Sequence, residues 1–305
     1  MIGITIGEHF GIGYEILAKA LSVNPLDTVL LYGDKKHFQL VCKEIDTYPH
    51  ASTHIEWLDI PCTAKNADDK KDRAKYVLHQ LTNATKDALD NKIDALVTCP
   101  IDKNTVRFIE PNFDGHTSFL QRQSKATHSF MLMANQKFHI IVGTQHIPLR
   151  SVHEVFTKAY FEDMISNLIP SLSKHFAIDN PKIAVLGLNP HAGEIDDHSE
   201  EKLWMKDTIK SMHARGLHIE GPFPADSFFG TAQVGKWDII ISPYHDQALI
   251  AAKYEGLSHV VNITLGLPFL RTSPGHGVAY DIVGRGIADP SSLQNAIKVA
   301  TSKHL

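Results

Sequence analysis

The chain has 305 residues, 43% of them hydrophobic, and a formal net charge of -4 with both signs well mixed. That length and apolar share support a large core, in one α/β unit or two lobes, and exclude a disordered chain. No overall basic field argues for nucleic acid, no window approaches the roughly 18 apolar residues of a membrane span, and the opening MIGITIG lacks the basic head of a signal peptide. The cysteines Cys42, Cys62 and Cys99 have no paired spacing and lie among apolar residues, which suits core thiols in a reducing cytoplasm.

Ile2 to Ile6 reads as an opening strand, followed by GEHFGIG and a helix with Ile16, Leu17, Ala20 and Leu21 on one face. Gly11 and Gly13 invite a dinucleotide-loop reading, but position 16 is Ile where the fingerprint needs a third glycine, so a tight strand-to-helix turn is expected. TVLLYG is a second strand, and Asp34 is placed to cap a helix bearing Phe38, Val41, Cys42 and Ile45. The charged run AKNADDKKDRAK predicts a solvated loop leading into a helix that buries Val77, Leu78, Leu81, Ala84 and Ala88. DALVTC, ended by Pro100, is another buried strand, and the strand-helix-strand alternation implies parallel pairing with right-handed crossovers.

In FDGHTSFLQR, Asp114-Gly115 marks a turn that places His116 and Thr117 at a helix entry, either an anion seat or a polar cap. SFMLMANQKFHIIVGTQ predicts two strands around Asn135-Gln136, an antiparallel hairpin inserted in the parallel scheme, and His146 follows it. A helix with Phe161, Met164, Ile165, Leu168 and Leu172 inward comes next, then PKIAVLGLNPHAGE, a strand whose loop carries His191. Ser199, Glu200 and Glu201 are expected to open a helix, their acids near the positive end of its dipole. WDIIIS is a buried strand that delivers Tyr244, His245 and Asp246 past its end, and HVVNIT is another, with Arg271 expected in the loop beyond it. Asp289-Pro290 begins the last helix.

Among nineteen histidines a single one says little. His146, His191 and His245 share a context, each just beyond an apolar strand, so that three neutral imidazoles with open positions describe a catalytic divalent site. Lys253 and Arg271 suit a substrate bearing both phosphate and carboxylate.

GLNPHAGE, YHDQALIAAKYEG and NITLGLPFLRTSPGHGVAYDIVGRG closely resemble the 4-hydroxythreonine-4-phosphate dehydrogenases of pyridoxal phosphate biosynthesis, the PdxA family; FDGHTSFL, TCPIDK and GIGYE agree, in order from residue 2 to about 300. The resemblance implies one two-lobed α/β/α unit over residues 1–305, like isocitrate and isopropylmalate dehydrogenases, with a mostly parallel sheet, an antiparallel insertion and a cleft between lobes. It implies oxidation of 4-phosphooxy-L-threonine with NAD or NADP to 2-amino-3-oxo-4-(phosphooxy)butanoate, which decarboxylates to 3-amino-2-oxopropyl phosphate. It further implies a divalent metal (zinc, magnesium or cobalt) on His146, His191 and His245, the last from the other subunit of a homodimer. Substrate contacts are implied for His116, Thr117, Lys253, Asn262 and Arg271, and Asp246 or a water is expected to take the hydroxyl proton. The chain departs from the family at His9, Phe10 and Tyr14 in the first glycine loop and at Gly275 and Val278, departures that bear on the nicotinamide cofactor. The alternatives are a paralogue oxidising a phosphothreonate or phosphoerythronate, a metal-dependent phosphohydrolase and a non-catalytic anion-binding protein.

Overall fold

The computed structural model describes residues 1–23, 25–231 and 234–305. In chain order its strands are β1 (Ile2–Thr5), β2 (Thr28–Gly33), β3 (His54–Asp59), β4 (Ala95–Thr98), β5 (Phe130–Ala134) and β6 (His139–Val142). They continue with β7 (Ile183–Leu186), β8 (Ile219–Phe223), β9 (Ile239–Ser242), β10 (Val261–Leu265) and β11 (Leu270–Pro274). The chain divides into two compact units, Met1–Ser129 with Leu257–His304, and Phe130–Gly256.

In the first unit the strand order is β3-β2-β1-β4-β11-β10. All neighbours run parallel except β10, which is antiparallel to β11. β1 and β4 are buried on both faces, which explains their unbroken apolar runs. β3 alternates exposed and half-buried residues, as an edge strand does. The helix Lys70–Leu89 buries Val77, Leu81, Ala84 and Ala88 against Tyr32, Leu96 and Phe113. Arg73, inside the run expected to be solvated, is instead 5% exposed. Its Nε donates to Glu8 Oε1 at 2.9 Å, its Nη2 donates to the Tyr280 hydroxyl at 2.5 Å, and the Phe10 and Tyr280 rings lie 5.7 Å from the guanidinium carbon. A guanidinium can be buried when its donors and its charge are both met, and here Glu8 meets the charge.

The turn after β1 is tight because a Cβ on Gly13 would stand 2.1 Å from the Ile6 carbonyl oxygen. Only glycine fits there. The opening turn of the helix Gly13–Val23 is filled by buried Tyr14 and Glu15, and the Tyr14 hydroxyl lies 2.6 Å from that of Tyr76. The turn is thus a tight strand-to-helix turn, as expected from the missing third glycine.

In the second unit the order is β5-β6-β9-β7-β8, with β5 antiparallel to β6 and the rest parallel. The hairpin expected around Asn135 and Gln136 is thus β5–β6. The helix Lys158–Phe176 buries the five apolar residues predicted to face inward. Among the described residues no helix is long and apolar enough to cross a membrane.

Candidate active site

Two clusters carry chemistry, one in each unit. In the second unit His146 follows β6, His245 follows β9 and His191 follows β7, and these three strands are parallel neighbours. Residues just past their carboxyl ends share one edge of the sheet. The loops are tied by backbone: Gly143 N–H donates to the Ser242 carbonyl at 2.8 Å, and Thr144 N–H and hydroxyl both donate to the Pro243 carbonyl. The Ser242 hydroxyl donates to Gln247 Oε1 at 2.6 Å, and Gln247 Nε2 donates to the Gly187 carbonyl at 2.9 Å, which joins the His245 helix to the His191 loop.

The His146 and His245 ring centres are 5.2 Å apart. Two imidazoles sharing one tetrahedral ion place their ring centres on the order of 5 Å apart, given metal–nitrogen bonds of about 2 Å. His245 Nδ1 lies 2.7 Å from Asp246 Oδ1, the carboxylate pairing that leaves the other ring nitrogen as a lone-pair donor. His191 Nδ1 stands 3.9 Å from Asp226 Oδ2. The pair His146 and His245 fits a divalent ion in chemistry and spacing. Among the described residues of one chain, however, no group of three or more His, Cys, Asp or Glu side chains is close enough to hold a metal. Within one chain it is the His146 and His245 rings that meet, whereas the resemblance implied that His245 would come from the other subunit.

Backbone strain concentrates at His191. It and Ala192 both take left-handed conformations, with φ of 51° each, and Gly193 follows at 70°. Each non-glycine residue held there costs on the order of 1–3 kcal/mol, which the surroundings must supply. Glu201 was expected to face a helix dipole. Instead the segment Glu201–Met205 forms a π-helical turn and the Glu201 side chain turns inward to Asn189.

Lys253 ends the helix that His245 begins, and partial burial lowers its pKa. Asp246, expected as a proton acceptor, is 78% exposed and holds the His245 ring.

In the first unit Arg271 lies within β11, not in a loop beyond β10, and is 2% exposed. The loop reading failed because Arg, Ser and Pro disguise a strand that is buried along its whole length. Arg271 Nε and Nη2 donate to the Thr98 hydroxyl at 3.1 and 2.7 Å, and Nη1 donates to the Thr264 hydroxyl at 3.0 Å. Among the described residues no carboxylate pairs with it, and burial lowers its pKa to about 9. An unpaired buried guanidinium is a costly arrangement that an anion relieves.

Its neighbours have the same character. His116 opens the helix His116–Ser124 with its Nε2 buried and unpartnered. Burial, then Arg271, then Lys103 drive its pKa well below the ordinary histidine range, so the ring is neutral. Asn262, paired with Ser273 across β10–β11, has a buried Oδ1 without a partner. Thr117 occupies the first turn of the same short helix. Lys103 was not singled out from sequence. A Cβ on Gly115 would lie 3.1 Å from its Cε, which puts it beside His116; its place just past the end of β4 was the signal to use.

Two open α/β units, one with imidazoles at its strand ends and one with a buried cationic seat, define a class whose fold is shared with isocitrate dehydrogenase. The solved isocitrate dehydrogenase of Methylococcus capsulatus superposes with a TM-score of 0.53 at 13% identity, over 99% of this chain and 84% of that one. Residues 15–300 match the family model described as pyridoxal phosphate biosynthetic protein PdxA, and the chain belongs to that family. A protein of Desulforapulum autotrophicum named 4-hydroxythreonine-4-phosphate dehydrogenase is 35% identical, over 98% of this chain and 94% of its own length. One of the same name from a Sulfurihydrogenibium species is 36% identical, over 98% and 97%. The crystal structure of 4-hydroxythreonine-4-phosphate dehydrogenase from Klebsiella pneumoniae superposes with a TM-score of 0.86 at 28% identity, covering 99% of this chain and 97% of that one.

Proposed function

We propose that this chain oxidises 4-hydroxythreonine 4-phosphate at its secondary hydroxyl with NAD or NADP, in pyridoxal phosphate biosynthesis, and that the resulting 2-amino-3-oxo acid phosphate decarboxylates to 3-amino-2-oxopropyl phosphate. The observation that carries this reading, beside family membership, is the buried Arg271 guanidinium, which among the described residues has no carboxylate partner and lies next to His116, whose Nε2 is buried and unpartnered. Such a seat takes a phosphate or carboxylate.

In this reading Arg271, His116, Thr117 and Asn262 hold one anionic end of the substrate and fix the carbon that loses hydride. Neutral His116 donates or accepts according to its tautomer, and a bound dianion raises its proton affinity. Lys253, its pKa lowered by burial, contacts substrate. A divalent ion (zinc, magnesium or cobalt) is held by His146, His191 and His245, the shortfall of the single chain being made up in a homodimer. When bound, that ion supplies Lewis acidity, which strengthens the secondary hydroxyl as an acid and offsets the charge that loss of CO2 develops. Asp246 fixes the His245 tautomer; a water or Lys253 then accepts the hydroxyl proton. Support for the dimer comes from large apolar side chains exposed close to each histidine: Leu149 after His146, Ile195 after His191 at 84% exposure, and Ile250 and Tyr254 after His245. Free thiols at Cys42, Cys62 and Cys99 suit the reducing cytoplasm.

The test is turnover of purified protein on 4-hydroxythreonine 4-phosphate with each nicotinamide cofactor, before and after chelation. Absorbance of the reduced nicotinamide should appear, vanish with chelator and return with added divalent metal. Reduction seen only with a phosphothreonate, or phosphate release without any nicotinamide change, overturns the assignment.

A further inference from the structure

The loop that carries His191 has an unusual support. Glu201 is 0% exposed, with no cation beside it among the described residues. Its Oε1 accepts from the Asn189 backbone N–H at 2.8 Å and its Oε2 accepts from Asn189 Nδ2 at 2.9 Å. The same carboxylate lies against both ends of the loop. A Cβ on Gly187 would stand 3.0 Å from Oε1, and one on Gly193 would stand 2.7 Å from Oε2. Ser199 closes the far side, its hydroxyl donating to the Gly193 carbonyl at 3.3 Å. The backbone that delivers this carboxylate is the π-helical turn Glu201–Met205, a local insertion of the kind that recurs at functional sites.

A buried carboxylate that accepts two hydrogen bonds from Asn189 and packs against Gly187 and Gly193 restrains the loop between them. Within that loop His191 and Ala192 take left-handed backbone, and the His191 side chain is 57% exposed. A histidine of ordinary backbone conformation at this position would direct its ring elsewhere.

We propose that Glu201 is a positioning residue for His191: its carboxylate, through Asn189 and the two flanking glycines, sets the strained loop that presents the imidazole to a divalent ion. This rests on the reading above in which His191 is a metal ligand. Glu201 itself touches neither metal nor substrate, and acts only through the loop.

The test is Co2+ binding to the metal-free full-length chain, followed by the visible absorption of the ion, in wild type, Glu201→Gln, His191→Ala and the double variant. Gln keeps the volume and can still accept from the Asn189 backbone N–H, but it sets a donor against Asn189 Nδ2, which then keeps only its 2.6 Å bond to Glu200 Oε2, so the loop is held less firmly. Glu201→Gln should weaken Co2+ binding by about 10- to 100-fold, the usual loss when the support of a ligand is removed. In the His191→Ala background the same change should add almost nothing, because the residue it serves is gone. Equal losses in both backgrounds, or no loss from Glu201→Gln while His191→Ala weakens binding, overturn the positioning role. No loss from His191→Ala overturns the metal assignment itself and this inference with it. Should Glu201→Gln fail to fold, Asn189→Ala, which removes one anchor and leaves the carboxylate in place, should weaken Co2+ binding several-fold in the His191 background and not in the Ala background.

Discussion

Arg271 shows how a single residue separates stability from function. Its guanidinium is nearly solvent-free and held by two threonine hydroxyls, and among the described residues no carboxylate pairs with it. Buried charge of this kind is a burden on the folded state, and replacement by an apolar residue of similar length is often neutral or stabilising. Arg271→Met should therefore keep or raise the melting temperature while lowering kcat/KM by about 10²- to 10³-fold, the loss expected when a charge-assisted clamp on an anion is removed. A variant that melts early yet turns over normally contradicts the anion seat. Sequence reasoning chose Arg271 and His116 for sound reasons, since a cation beside glycines and a histidine at a helix entry both point to anions. It missed Lys103, Arg73 and Glu201. Each was hidden in a charged run or a helix start, where solvent or a dipole accounts for the residue type, and only the three-dimensional neighbours reveal that two of them are buried.

At the scale of elements, the strands that bury both faces were readable as continuous β-branched or apolar runs, and so were the hairpin and the long amphipathic helices. β3, β8 and β11 were not. The first two lie at ends of the strand order, β3 with polar residues along it and β8 interrupted by Glu, Gly and Pro, and the third carries Arg, Ser and Pro. The turn after β1 is the element with the clearest energetic signature. His9 packs there 4.2 Å from His37, ring centre to ring centre, with its Nδ1 3.3 Å from the Tyr14 hydroxyl. Burial first, then His37, lower its pKa from 6.5 to about 4, Asp34 opposing and Arg73 adding to the shift. The folded turn thus refuses a proton that the unfolded chain accepts. Stability should be level above pH 6.5 and fall as pH drops from 6.5 toward about 4, this one group contributing up to about 3 kcal/mol. His116, His37 and His139 are lowered as well and act in the same direction. Urea unfolding across that range should show a shallower decline in His9→Phe; an unchanged slope removes His9 from the account.

For the whole molecule, the question is what covers the apolar side chains that flank the histidines. Tyr254 is 88% exposed and Ile250 70%, both at the end of the helix that His245 opens. If a second copy covers them, Ile250→Asp with Tyr254→Asp should convert a dimer into a monomer in sedimentation and remove turnover together with it. A fully active monomer rejects the shared site. The two-unit division follows from the chain path. The second unit is one continuous stretch, whereas the first is made from both ends of the sequence, with β11 lying between β4 and β10. On the ribosome β4 must therefore wait, its flank unpaired, through more than half of the remaining synthesis until β11 emerges. The inserted stretch can mature first, and the opening segment is the part that a chaperone has most reason to shield.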